Sequence, residues 1–108
     1  MKILYVEDNT FDADLTRREL ANHAADFTLD VTPTLQAARQ RLESETDYDL
    51  VLLDLHLPDG NGLDFLAEIR EQSLPLAIVV LTGSGDEEAT VAALKAGTDD
   101  YLIKNGNY

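Results

Sequence analysis

Leu50-Val51-Leu52-Leu53-Asp54-Leu55-His56-Leu57-Pro58-Asp59-Gly60-Asn61-Gly62 begins with four aliphatic residues, stops at a carboxylate and then breaks into turn formers. A continuous apolar run this short, bounded by turn residues, reads as a parallel strand buried on both faces. Three further runs end in the same manner. Ile3-Leu4-Tyr5-Val6 leads into Glu7-Asp8, Ile78-Val79-Val80-Leu81 into Thr82, and Tyr101-Leu102-Ile103 into Lys104. Parallel strands all point one way, and in an open α/β sheet ligands bind in the crevice outside their carboxyl ends. The pattern therefore predicts one pocket holding three carboxylates, a hydroxyl and an ammonium.

The intervening stretches read as crossover helices. A first strand over residues 2–6 and the Asp8-Asn9-Thr10 turn precede a helix over 11–23, with Phe11, Leu15 and Leu20 on its buried side and Asn9 or Thr10 as N-cap. Residues 27–31 alternate and include β-branched side chains, which predicts an edge strand. A helix over 34–44 places Leu35, Ala38 and Leu42 at helical spacing. The third strand is expected over 50–53, a loop over 58–62, and a helix over 63–72 with Leu63, Leu66 and Ile69 inward. Pro75 ends that helix before a strand over 77–81, and Gly83-Ser84-Gly85 reads as a mobile loop. Asp86, Glu87 and Glu88 put acids in the first turn of a fourth helix that stops at Gly97, and a fifth strand covers 100–103. Strands alternating with helices, joined by right-handed crossovers, predict an α/β fold with a doubly wound five-stranded parallel sheet.

Composition narrows the function classes. The 108 residues suffice for one domain with its own core. There is no cysteine, which excludes disulfides, thiolate metal sites and cysteine nucleophiles. No apolar run approaches the roughly 20 residues of a membrane span, and Met1-Lys2-Ile3 enters a strand directly rather than a signal peptide. The expectation is a cytoplasmic protein without membrane insertion. A net charge of −13 repels nucleic acid and anionic lipid, so direct binding of either is not expected, whereas basic partners and metal cations are favoured. Adaptation to high salt and a merely acidic domain both account for that charge, and melting in low and multimolar KCl separates them.

The chain stops four residues after Lys104, where a fifth helix would pair with the first to cover one sheet face. Two expectations follow: a single domain, residues 1–108, excised from a longer protein, or a bare face buried in a homodimer.

Asp54, at the end of the most apolar strand, is expected to be an exposed nucleophile rather than a core group, able to accept a phosphoryl group as an acyl phosphate. Glu7 and Asp8 come from the neighbouring strand. Carboxylates about 5 Å apart repel by roughly 3 kcal/mol per pair at an effective dielectric near 20, so the cluster calls for a cation. Mg²⁺ suits it because it takes one or two carboxylates, keeps waters and accepts phosphate oxygens. Phosphoryl transfer needs positioning and charge neutralisation, which a metal, Lys104 and the Thr82 hydroxyl would supply.

Taken together, Val6-Glu7-Asp8-Asn9, the run from Leu52 to Gly60, Leu81-Thr82-Gly83 and the run from Gly97 to Lys104 resemble the receiver domain of two-component response regulators, the CheY-like family. The resemblance covers essentially the whole chain. It implies the strand order 2-1-3-4-5 of flavodoxin-like folds, of which CheY is itself a known example. It further implies that Asp54 is phosphorylated by a histidine kinase or phosphotransfer protein. Glu7, Asp8, Asp54 and the His56 backbone carbonyl would organise Mg²⁺, with Mn²⁺ or Ca²⁺ able to stand in its place. Lys104 and Thr82 would contact the phosphoryl group. Thr82 and Tyr101 would carry the switch: Thr82 moves to the phosphoryl oxygen, Tyr101 turns inward, and the surface of the fourth helix and fifth strand changes. In this reading the domain is no enzyme in the usual sense, since it catalyses only its own phosphorylation and dephosphorylation.

The family's usual proline after the lysine is replaced by Asn105, which leaves the conformation of that peptide open. Two other functions compete. A receiver-like binding module would work without phosphorylation. An aspartyl-phosphate phosphatase resembling the haloacid dehalogenase superfamily would need a second Asp where this chain has His56.

Overall fold

The computed structural model describes residues 1–23, 26–83 and 87–104, and at 23, 56, 82, 83, 87, 89, 90, 93, 103 and 104 the backbone alone. Five parallel strands form one sheet: β1 (Lys2–Val6), β2 (Thr28–Thr32), β3 (Leu50–Asp54), β4 (Ala77–Gly83) and β5 (Asp100–Lys104). Their order is 2-1-3-4-5, as expected. The chain leaves β1 toward one edge and returns past it to β3, so the winding reverses between these two strands. Ligand crevices of open α/β sheets form at such a reversal.

The helices are α1 (Thr10–His23), α2 (Leu35–Ser44), α3 (Gly62–Glu71) and α4 (Glu87–Ala96). On one face of the sheet Leu4, Val6, Val51, Leu53, Ile78 and Val80 pack with Leu35 and Ala38 of α2 and with Phe65, Leu66 and Ile69 of α3. On the other, Ile3, Tyr5, Leu52 and Leu81 meet Ala13 and Leu20 of α1. Burying a side chain of this size stabilises the fold by roughly 2 kcal/mol, so these two layers fix where each strand ends.

Several expectations need correction. Phe11 is not on the buried side of α1; it is 69 % exposed, while Ala13 and Thr16 face the sheet. At about 100° per residue Phe11 lies opposite Ala13, and the short side chains let α1 approach Tyr5. Leu15 is only half-buried. The expected loop after β3 contains a two-residue antiparallel ladder, His56 with Asn61 and Leu57 with Gly60, and α3 starts one residue early at Gly62. Phe65 joins Leu66 and Ile69 as a buried anchor of α3. β4 extends through Gly83, because β5 offers register partners as far as Ile103 and Lys104. Ser84, Gly85, Asp86 and Asn105 lie outside the described residues.

At the amino-terminal rim the charges are matched. Lys2 Nζ stands 3.1 Å from Glu45 Oε1 and 2.9 Å from Asp47 Oδ1, over the Tyr48 ring at 4.6 Å. The Tyr48 hydroxyl lies 2.6 Å from Asp30 Oδ2 and 3.1 Å from Glu45 Oε2, and burial followed by these acceptors pushes its pKa up. Arg70 forms a clamp at the same rim. Its guanidinium donates to Gly97 O at 2.8 Å, Leu76 O at 2.9 Å and Asp99 Oδ2 at 2.8 Å. Asp99 Oδ2 also accepts from Ile78 N at 2.7 Å. Gly97, at φ +105°, takes the left-handed turn that ends α4 and leaves its carbonyl open to Arg70.

Candidate metal and phosphoryl site

Asp54 is the last residue of β3, and its register partner on β4 is Leu81. Val6 pairs with Leu53 on the other side, which sets Glu7 and Asp8 beside Asp54. One carboxylate oxygen from each of Glu7, Asp8 and Asp54 lies within 4.8 Å of the others. Asp54 is not the exposed carboxylate expected: it is 8 % exposed and Glu7 3 %, because the strand end is covered by its neighbours, whereas Asp8 is open to solvent. Like charges at 4.8 Å and an effective dielectric near 20 repel by about 3.5 kcal/mol per pair. Buried charge also has to be compensated.

Part of that compensation comes from residues that sequence reasoning missed. The Tyr5 hydroxyl donates to Glu7 Oε2 at 3.3 Å and lies 3.1 Å from the Thr16 hydroxyl. Tyr5 has one proton to give, so Thr16 donates to Tyr5. Asn9 N donates to Glu7 Oε1 at 3.3 Å, and Glu7 N extends the β1–β2 ladder by donating to Thr32 O at 2.9 Å. The signal in the sequence was the phenol itself, since Tyr5 carries the one polar tip in the run of residues 3–6. Asn9 also caps α1, accepting from Phe11 N at 3.0 Å and Asp12 N at 3.1 Å.

The donor set is all oxygen, with one open and two buried carboxylates. It fits a hard divalent cation better than a soft one.

The other expected residues are distributed as follows. Thr82 directly follows Leu81, and its backbone pairs with Ile103. Lys104 pairs with Gly83, so the backbones of Thr82 and Lys104 reach the same carboxyl rim as Asp54. His56 lies two residues beyond Asp54, in the short ladder. Gly62 returns against the end of β3: its N–H donates to Leu55 O at 3.0 Å, and a Cβ there would stand 2.8 Å from Asp54 O. No larger residue fits without displacing the loop. Tyr101, 37 % exposed, lies at the surface of β5.

The family model for the response regulator receiver domain matches residues 3–107. The chain belongs to this family. As such it is a receiver domain of two-component signalling, with the phosphoacceptor function of that class. It is 42 % identical over 104 residues to the transcriptional regulatory protein BasR of Escherichia coli, covering 96 % of this chain and 46 % of that protein. It is 37 % identical over 106 residues to the two-component response regulator PhoP of Pseudomonas aeruginosa, covering 96 % and 45 %. The chain thus spans less than half the length of these curated relatives.

Among solved receiver structures, the Mn²⁺-bound form of response regulator Rcp1 superposes with a TM-score of 0.84 at 33 % identity, covering 98 % of this chain and 82 % of that one. The phosphorylated cyanobacterial phytochrome response regulator RcpA also gives 0.84, at 32 % identity, covering 98 % and 81 %. No helix among the described residues of this receiver is long and apolar enough to cross a membrane.

Proposed function

We propose that this receiver accepts a phosphoryl group on Asp54 from the phosphohistidine of a histidine kinase or phosphotransfer protein. The observation that carries the reading is the set of three carboxylate oxygens within 4.8 Å at the end of the central strand. An Asp54 oxygen attacks phosphorus, the N–P bond breaks, and the imidazole leaves with the electron pair, so the product is an acyl phosphate. Return to the resting state is hydrolysis, in which water attacks phosphorus and the carboxylate leaves as inorganic phosphate is released.

Glu7, Asp8, Asp54 and the His56 carbonyl would hold Mg²⁺, which supplies neutralisation of the phosphoryl oxygens. Mn²⁺ fits the same donors, in keeping with the Mn²⁺-bound Rcp1 relative. The Lys104 ammonium neutralises further charge, and the Thr82 hydroxyl donates to the phosphoryl group. Tyr101 answers Thr82 by turning inward, which shifts the α4 and β5 surface by population. We take residues 1–108 as the receiver portion of a longer regulator, supported by the share of BasR and PhoP that it matches. The compartment proposed is the cytoplasm.

The test is incubation with acetyl phosphate or beryllofluoride in Mg²⁺, followed by intact mass and peptide localisation. A persistent adduct on Asp54 is expected. Rapid turnover of added phosphate esters would instead make the protein a phosphatase. No adduct would make it a binding module that works without phosphorylation.

A further inference from the structure

Asp59 bridges two parts of the fold that the metal site needs held together. Its Oδ1 accepts from Leu35 N at 2.9 Å and its Oδ2 from Gln36 N at 3.0 Å. These are the first two N–H groups of α2, which no residue of the helix itself can satisfy. The third, Ala37 N, goes to Thr34 Oγ1 at 3.1 Å. Asp59 is thus a second cap, delivered from 24 residues away by the loop that follows Asp54.

The same helix end is tied to the acidic cluster. Thr32 O accepts from Glu7 N at 2.9 Å, and Thr32 is three residues ahead of Leu35. The amino terminus of α2 therefore has one arm on the Glu7-Asp8 turn and another on the loop carrying His56. That loop is pinned at its far end as well. Asn61 Oδ1 accepts from Leu63 N at 2.8 Å to cap α3, and the ladder pairs Asn61 with His56 and Gly60 with Leu57.

We propose that Asp59 is a positioning residue for the divalent-ion site: by fastening the 55–62 loop to the start of α2, it holds the His56 carbonyl in register with Glu7, Asp8 and Asp54. The proposal rests on the metal reading of that cluster. Without the tether the loop keeps its α3 cap and short ladder but can pivot away from β1, so the carbonyl no longer meets the cation in a fixed place. Groups that orient a metal ligand typically change affinity by about tenfold or more when removed. The Leu35 and Gln36 N–H groups also hold the Asp59 carboxyl below the usual carboxylate range, as expected for an acceptor at the positive end of a helix.

The experiment compares Mg²⁺ affinity by calorimetry for the wild type, Asp59→Ala, Asp59→Asn and Thr34→Ala, after circular dichroism shows each to be folded. It is run in about 1 M KCl, where a Debye length of about 3 Å removes the distant effect of one lost charge. Thr34→Ala is the control, because it uncaps the same helix without touching the loop. Asp59→Ala is expected to bind Mg²⁺ about tenfold more weakly, Asp59→Asn to fall between it and wild type, and Thr34→Ala to match wild type. Equal losses in Asp59→Ala and Thr34→Ala would overturn the proposal, since the effect would then belong to α2. So would wild-type affinity in both Asp59 variants. A wild type that binds no Mg²⁺ would instead overturn the metal reading, and this proposal with it.

Discussion

The two rims of this sheet treat charge in opposite ways. At the amino-terminal rim the two cations Lys2 and Arg70 each sit beside acceptors: Lys2 with Glu45 and Asp47, and Arg70 with Asp99 and two carbonyls. At the carboxyl rim three carboxylates crowd within 4.8 Å, two of them buried. The first arrangement stabilises the fold by itself. The second opposes it, and in the proposed reading a divalent cation relieves that opposition. Stabilising pairs and the proposed site are thus separated by the length of a strand.

The largest expected effect lies at the carboxyl rim. Mg²⁺ at about a hundred times its dissociation constant should stabilise the wild type by about 2.7 kcal/mol, while Asp54→Asn should show little response. In metal-free buffer with chelator the same variant loses two repulsive pairs, about 7 kcal/mol of gross repulsion. Against that stand the favourable interactions of Asp54 that it also loses, and the variant should be more stable than wild type by roughly 2 kcal/mol. Urea denaturation with and without Mg²⁺ reads both numbers. A less stable metal-free variant would mean that the cluster carries no net repulsion, and the contrast between the rims would collapse.

Next in size is Arg70→Ala. It removes the donor from two carbonyls and from Asp99, which keeps its bond from Ile78 N, and with two of the three contacts open to solvent the expected loss is about 1 kcal/mol. Arg70→Lys should not restore it, because an ammonium cannot reach three acceptors in that fork. If melting finds either variant unchanged, the Arg70 clamp adds nothing to the paired rim.

The smallest effect is one of pH. The Ile78 N–H and then Arg70 hold the Asp99 carboxyl below its ordinary value. A depressed folded pKa contributes stability that is present above the unfolded value and lost as pH falls through the folded one. The stability gap between wild type and Asp99→Asn should therefore be full at neutral pH and close below about pH 4. A gap that widened on acidification would contradict the sign.

Much of the candidate site was readable because its residues terminate apolar runs. Glu7, Asp8, Asp54 and Lys104 stand where strands stop and Thr82 one residue before its strand ends, and parallel strands stop at one rim. The sheet order, by contrast, came from the resemblance to the receiver family and not from the runs themselves. Side-chain direction on helices was less legible. Phe11 was expected inward because it is large and apolar, yet Ala13 and Thr16 took that face, where the close approach of α1 favours small residues. Tyr5 and Thr16 were missed as supports for Glu7 because a phenol inside a buried strand looks like packing until its hydroxyl is placed. Asp59 looked like a turn former, and nothing local to it pointed to Leu35 and Gln36.

The amino-acid order by itself determined the elements, the parallel sheet and the chemistry at each strand end, because those depend on hydrophobic period and on the residues that interrupt it. Only the tertiary structure decided which carboxylates are buried, which hydroxyl supports them, and how α2 is fastened to the loop after Asp54. Those are matters of distance between segments far apart in the chain, and packing of the two sheet faces sets that distance.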